Sequence, residues 1–229
     1  MPKEAHLKQP TVLKDIIIGL SDGITVPFAL TAGISGAVES NHIIITAGIA
    51  EICAGAISMG LGGYLAGKTE EEHYYNEMRR EYHEIKTVPE EEKQEVRDAL
   101  AKYGIAKDIQ DNVADYLSRD EKQWVEFMMR NELGIEKPEN GRAAKSARNI
   151  SMSYIAGGIV PLCGYIITSN STNGLKLSST ITIVCLIIFG YFKSTLTGEN
   201  ALAGALKTTG IGVIAAASAF AIAYWFNNM

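Results

Sequence analysis

The sequence predicts an all-α polytopic membrane protein with five transmembrane helices and a polar helical insert between the second and third. Three observations carry that expectation. Five runs are free or nearly free of charge, 16–38, 43–66, 150–168, 177–192 and 208–226, and each approaches the ~17 to 25 residues a helix needs to cross hydrocarbon. Charge is also segregated, because residues 68–148 hold 15 of the 21 Lys and Arg and 20 of the 26 Asp and Glu. That middle stretch is rich in Glu, Lys, Arg and Ala with few β-branched runs, which favours helix throughout. The expected domains are 1–67 (an N-terminal segment and spans one and two), 68–148 (the insert) and 149–229 (spans three to five).

The first span carries Asp22 within Ser21-Asp22-Gly23-Ile24-Thr25-Val26-Pro27-Phe28. A charge near mid-membrane costs at least ~2.5 kcal/mol, so an intramembrane carboxylate is expected to serve a function. The plainer alternative is the amphipathic start of a soluble helix. The run is too long for a signal peptide and lacks a small-residue cleavage site, so it is expected to double as the targeting signal. Span two carries Glu51 and Met59. Small-residue repeats, Gly19-x-x-x-Gly23, Ala29-x-x-x-Gly33-x-x-x-Ala37 and Gly63-x-x-x-Gly67, let helix backbones approach closely.

The insert reads as helices over 68–86, continuing span two, 90–103, 107–117 and 119–133. Pro89 disfavours helix at Val88, Gly104 and Gly134 supply stops, and Ser118 is the expected N-cap of the last helix. Pro27 and Pro161 each remove a backbone donor and mark kink points in spans one and three. The fourth apolar run is the weakest at sixteen residues and needs 174–194 or a thinned bilayer to span. Cys53, Cys163 and Cys185 fall within spans with no Cys-x-x-Cys, as packing residues would. No self-similarity between the halves suggests an inverted repeat.

Orientation follows from Lys and Arg near the span ends. Lys3, Lys8 and Lys14 precede span one, none separates spans one and two, Lys176 alone follows span three, and Lys193 and Lys207 flank the turn between spans four and five. The N-terminus and insert are therefore expected in the cytosol and the C-terminus on the far side. The net charge of −5 resides in the insert, which argues against nucleic acid and for cationic partners.

Glu51 and Met59 are eight apart and share one face of span two. That face can line a path that Asp22 enters from span one. Carboxylates alone suit Mg, Ca or Mn, and a thioether biases the site towards a softer metal such as ferrous iron. In the insert, Glu81 with Glu84, Glu92 with Glu95, and Met128 and Met129 with Glu132 each point from one helical face. Three helices so furnished can enclose a cluster of divalent ions between them, and the expectation is a cytosolic helical metal-binding insert. Taken singly, an acidic pair on a Glu-rich helix is usually just a solvated face, and an isolated Met59 more often a gap-filling core methionine. Glu70-x-x-His73 echoes a di-iron bundle motif, but His6, His42 and His83 supply no second copy. Whether Glu70, His73 or Glu77 joins a metal site is left open.

These residues resemble the vacuolar iron transporters, a family related to the yeast calcium and manganese cross-complementer. The likeness covers nearly the whole chain, through Ser21-Asp22-Gly23 with Pro27, Gly55-Ala56-Ile57-Ser58-Met59-Gly60 to Gly63-Tyr64-Leu65-Ala66, and Met128-Met129-x-x-Glu132. The glutamate-rich insert places it with the insert-bearing eukaryotic branch. The resemblance implies a homodimer with its path at the subunit interface, carrying Fe²⁺ out of the cytosol into a vacuole or similar acidic organelle against protons. It also implies transport residues at Asp22, Glu51 and Met59 and insert ligands at Glu81, Glu84, Glu92, Glu95, Met128, Met129 and Glu132. Alternatives are transport of Mn²⁺, Zn²⁺ or Co²⁺, or a membrane-anchored metal-storage module. No prosthetic group is expected, and no enzymatic activity, since no nucleophile and base pair or phosphate loop is present.

Overall fold

A computed structural model describes residues 11–229 of the chain. Lys3, His6 and Lys8 lie outside the described residues. Among those described there are eight helices and no strand: α1 (Thr11–Ser35), α2 (Asn41–Thr87), α3 (Pro89–Ala101), α4 (Lys107–Leu117), α5 (Glu121–Asn131), α6 (Arg142–Ile167), α7 (Ser171–Thr197) and α8 (Ala201–Asn227). Five of them, α1, α2, α6, α7 and α8, are long and apolar enough to cross a membrane. The all-α class and the five spans are as the sequence predicts.

The chain divides into two compact units. One holds the described residues up to Tyr64 together with Ala143–Met229, the other is Leu65–Arg142, and α2 contributes to both.

In the first unit, α1, α7 and α8 pack against one another. The small-residue repeats explain how closely. A Cβ on Gly23 would overlap the Tyr154 backbone of α6, and one on Gly19 would stand 2.9 Å from the Ser153 Cβ. Gly157 answers from α6, where a Cβ would reach the Ile24 nitrogen at 2.9 Å. Gly33 meets Ala219 of α8 at 3.3 Å. Pro27 and Pro161 are buried inside α1 and α6, and hydroxyls from Thr31 and Ser178 donate to their carbonyl oxygens at 2.8 and 2.5 Å.

Two points about this unit are decided by the structure. Of the two ways offered for the fourth span, the longer helix holds: α7 runs for 27 residues, about 40 Å at 1.5 Å per residue, and needs no thinned bilayer. Its start is set by the Asn170 side chain, which accepts from the Thr172 and Asn173 amides, and its end by Gly198 at φ 75°. Apolar content missed both because the end turns are built of Ser, Thr and Asn. Lys193 and Lys207 also lie within α7 and α8 rather than beside their turn, and Lys176 lies within α7. Cys53 is exposed on α2, while Cys163 and Cys185 are half-buried.

The second unit packs α3, α4 and α5 with the end of α2 around Tyr74, Ile85, Val96, Leu100, Ala114, Trp124, Val125, Met128 and Met129. Lys93 meets Asp115 at 2.9 Å and Arg97 meets Asp111 at 2.7 Å, linking α3 to α4. The Lys93 ammonium holds the Asp115 carboxyl below its ordinary range. Gly104 and Gly134 stop helices with φ of 73° and 67°, a backbone that favours glycine. Ser118 is not the cap of α5. Its hydroxyl donates back to the Asp115 carbonyl, whereas the Asp120 carboxylate accepts from the Lys122 and Gln123 amides and opens α5 at Glu121.

Candidate functional site

Glu51, among the transmembrane candidates, meets a residue the sequence reading did not single out. Tyr154 of α6 is 2% exposed, and its hydroxyl donates to the Glu51 Oε1 at 2.5 Å. Two glycines make room for it. A side chain on Gly55, one turn past Glu51, would overlap the tyrosine ring, and one on Gly23, next to Asp22, would overlap its backbone. Tyr154 thus meets Glu51 directly and lies against the glycine that follows Asp22. The available signals were a tyrosine within an apolar run and two glycines beside the two carboxylates.

Glu51 is half-buried, yet its Oε2 is shielded and without a hydrogen-bond partner. A lone carboxylate oxygen in that position is costly unless a proton or cation meets it. Met59 is half-buried on the same face of α2, about 12 Å along the helix. Beside it, Gly60 packs on Ser151, whose hydroxyl donates to the Ala56 carbonyl at 2.7 Å. Asp22 faces a cavity of about 130 Å³ lined also by Ser21, Thr25, Lys193, Lys207, Thr208 and Ile211. The two lysines there were assigned from sequence only to orientation.

In the second unit, α2 carries Glu81 and Glu84, α3 carries Glu92 and Glu95, and α5 carries Met128 and Met129 with Glu132 as its C-cap. Glu81 and Glu92 are each 3% exposed, and Glu84, Glu95 and Glu132 are half-buried. Burial, then the neighbouring carboxylates led by Glu132, pushes Glu81 up to about 8. Burial, then Glu95 and Glu84, pushes Glu92 up to about 7. Glu95 and Glu132 are raised for the same reasons. Arg80 opposes this locally, its Nε donating to Glu84 at 3.0 Å. One oxygen each of Glu81, Glu92 and Glu132 is buried without a partner.

Five carboxylates therefore sense one another's charge in a partly dry space, an arrangement that draws protons or cations. As they stand, no three His, Cys, Asp or Glu among the described residues are close enough together to hold a metal ion. Met128 and Met129 lie in the apolar core of this unit, 0% and 3% exposed. His73 approaches Glu77 at 3.8 Å on exposed α2, and His42 and His83 are exposed elsewhere.

Comparison with known proteins bears on this arrangement. A family profile described as the VIT family matches residues 13–224. Vacuolar iron transporter 1 of Arabidopsis thaliana is 50% identical over 220 residues, covering 96% of this chain and 88% of that protein. Vacuolar iron transporter 1 of Tulipa gesneriana is 46% identical over 221 residues, covering 96% and 90%. Protein CCC1 of Saccharomyces cerevisiae is 37% identical over 226 residues, covering 95% and 68%. With a match across nearly all its length and relatives at up to half identity, the chain belongs to the VIT family.

Proposed function

We propose that this protein moves ferrous iron from the cytosol into a vacuole or similar acidic compartment in exchange for protons. Relatives named as vacuolar iron transporters support the substrate and the compartment. The observation that carries the mechanism is Glu51, with one oxygen held by Tyr154 and the other buried without a partner, while Gly23, next to Asp22, packs on the backbone of the same tyrosine. The unpaired oxygen needs a cation or a proton, and exchanging one for the other is the reaction of an antiporter.

In this reading the insert gathers Fe²⁺ from the cytosol with Glu81, Glu84, Glu92, Glu95, Met128, Met129 and Glu132. Asp22, Glu51 and Met59 then carry it across, with the Met59 thioether favouring a softer ion over calcium or magnesium. Metal binding needs deprotonated carboxylates, so an acidic lumen favours release. The N-terminus and insert face the cytosol and the C-terminus the lumen. A homodimer would cover the outward face of α2, where Ile57 and Leu61 are 71% and 54% exposed. The metal is cargo, and the reading includes no prosthetic group and no enzymatic step.

The deciding experiment is Fe²⁺ uptake into proteoliposomes with an acidic interior, recorded together with internal pH. Uptake with proton efflux is expected for the native chain, and loss of both for Asp22→Ala or Glu51→Ala. Uptake that persists in both variants, or that runs without proton movement, overturns the mechanism. Mn²⁺, Zn²⁺ and Co²⁺ in competition rank the substrates.

A further inference from the structure

At the end of the first unit where α1 and α6 stop and α2 begins, the three helices close on one another in two layers. The layer nearer Glu51 is apolar. Gly48, three residues before Glu51, is buried, and a Cβ there would overlap Leu162 of α6 and stand 3.3 Å from the Thr31 Cγ2 of α1. Thr31, Leu162 and Ile44, one turn before Gly48, are all buried. The outer layer is polar. The Ser35 hydroxyl of α1 donates to the Thr31 carbonyl at 2.7 Å, which leaves its oxygen to accept from the Tyr165 hydroxyl of α6 at 2.8 Å. Tyr165 is 1% exposed. Asn41, the first residue of α2, donates from its Nδ2 to the Tyr165 carbonyl at 3.1 Å and to the Thr168 carbonyl at 2.6 Å.

This closure stands on segments that can hinge. α1 and α6 run parallel and in register, with Gly19 against Ile150, Gly23 against Tyr154 and Ser35 against Tyr165. Their tight glycine contacts, at Gly19, Gly23 and Gly157, all precede Pro27 and Pro161. Beyond the prolines the close backbone contacts change partner: Gly33 of α1 meets Ala219 of α8 at 3.3 Å, and Gly164 of α6 meets Ser178 of α7. α1 and α6 are thus locked by glycines on one side of the prolines and joined by side chains on the other. Each proline withholds a helix hydrogen bond, and bending concentrates there. The closed layer also carries a cost. The Asn41 Oδ1 is buried without a partner among the described residues, and because both Nδ2 contacts are to carbonyl oxygens the amide cannot turn over to satisfy it. Opening, by admitting water, removes that cost.

We propose that Tyr165, Ser35 and Asn41 form the release gate, a latch that closes the path beyond Glu51 and opens as the ends of α1 and α6 splay about Pro27 and Pro161. This rests on the reading of Glu51 as the group that exchanges metal for protons, with this end of the unit facing the lumen. In the closed latch Thr31, Leu162 and Ile44 stand between Glu51 and the lumen. An antiporter needs such a barrier, because a carboxylate open to both sides at once passes protons without metal. Tyr165 and Ser35 are positioning residues, which hold the barrier and touch no cargo.

The test uses the full chain in proteoliposomes with an acidic interior, recording internal pH first without metal and then with Fe²⁺. Metal-free proton loss reads the gate, and metal-driven loss reads transport. Tyr165→Phe and Ser35→Ala each delete the bond between α1 and α6, and each should raise metal-free proton loss about fivefold over the native chain. Combined, they should give little more than either alone, because they delete the same bond. Ser35→Thr keeps the hydroxyl and should restore the native rate. Leu186→Ala, which empties the contact of α7 with Gly212 of α8, should lower the melting temperature without raising the leak, which separates gating from instability. Native-tight coupling in both Tyr165→Phe and Ser35→Ala overturns the gate, as does an equal leak in Leu186→Ala or Ser35→Thr. The metal-free arm keeps the two readings apart: a native chain that carries no Fe²⁺ sinks the transport reading, while the leak of the variants still decides the gate.

Discussion

Glu81→Gln tests the carboxylate cluster most directly, because the structure sets both the sign and the size of its effect. Glu81 is raised to about 8 and Glu92 to about 7, so at pH 7 the first is about nine-tenths protonated and the second about half. A divalent ion that takes both oxygens must displace about 1.4 protons at pH 7. Affinity therefore rises with pH and levels off only above about pH 8. Between pH 7 and pH 6 the population with both groups deprotonated falls about 50-fold, and the apparent affinity falls with it. With Glu81→Gln only Glu92 of this pair still titrates, and the pair's share of the fall over the same interval shrinks to about 5-fold. The assay is equilibrium binding of Mn²⁺ to the full chain in detergent at pH 6, 7 and 8, with free ion read by electron paramagnetic resonance. Proton release is counted by calorimetry in two buffers of different ionisation enthalpy. Affinity that ignores pH over this range, or a variant as steep as the native chain, would refute the reasoning.

The same raised carboxyls make the metal-free second unit more stable in acid. Its folded form binds more protons than the unfolded chain between 4.5 and about 8, so the contribution is full below about 4.5 and is lost as pH rises through 7 to 8. Protection factors of the α2 and α3 amides, with the intrinsic pH dependence of exchange divided out, should be lower at pH 8 than at pH 6, and higher again at pH 8 in Glu81→Gln. Tyr154→Phe deletes the donor to Glu51 while keeping the ring against Gly55 and the backbone against Gly23. A buried hydrogen bond to a charged group is worth about 1.5–3 kcal/mol, so uptake should drop at least ~10-fold with the elution profile of the folded protein unchanged. Native-level flux would remove Tyr154 from the mechanism. Gly23→Ala pushes a methyl group into the Tyr154 backbone and should lower the melting temperature sharply, whereas Gly62→Ala, with no neighbour within 4 Å, should leave it unchanged.

The features legible in the chain were those with a local cause. Five apolar runs and a charged middle stretch force helices to cross a membrane or avoid it, and α4 begins and ends at Lys107 and Leu117 as its pattern foretells. Gly19 and Gly23 announced a close helix contact because small residues in a span have few other uses. Ser118 misled because a serine before a helical pattern is a good cap candidate, while Asp120 stood two residues nearer and its carboxylate reaches two amides. α7 was underestimated because hydropathy ignores the Ser, Thr and Asn that build its first turns.

What only the tertiary structure decided is which groups meet. Tyr154 reaches Glu51 across 103 positions of sequence, and no periodicity in α2 or α6 encodes that pairing. Lys193 and Lys207 looked like markers of orientation until the packing of α1, α7 and α8 set them around the cavity of Asp22. The protonation of Glu81 and Glu92 is likewise a tertiary property, because it depends on burial and on carboxylates brought from α2, α3 and α5. The sequence by itself determined the helices, the membrane class and the carboxylates available, since propensity and hydropathy act along the chain. Their partners, exposure and charge state follow from contacts between distant segments, and those exist only in the folded protein.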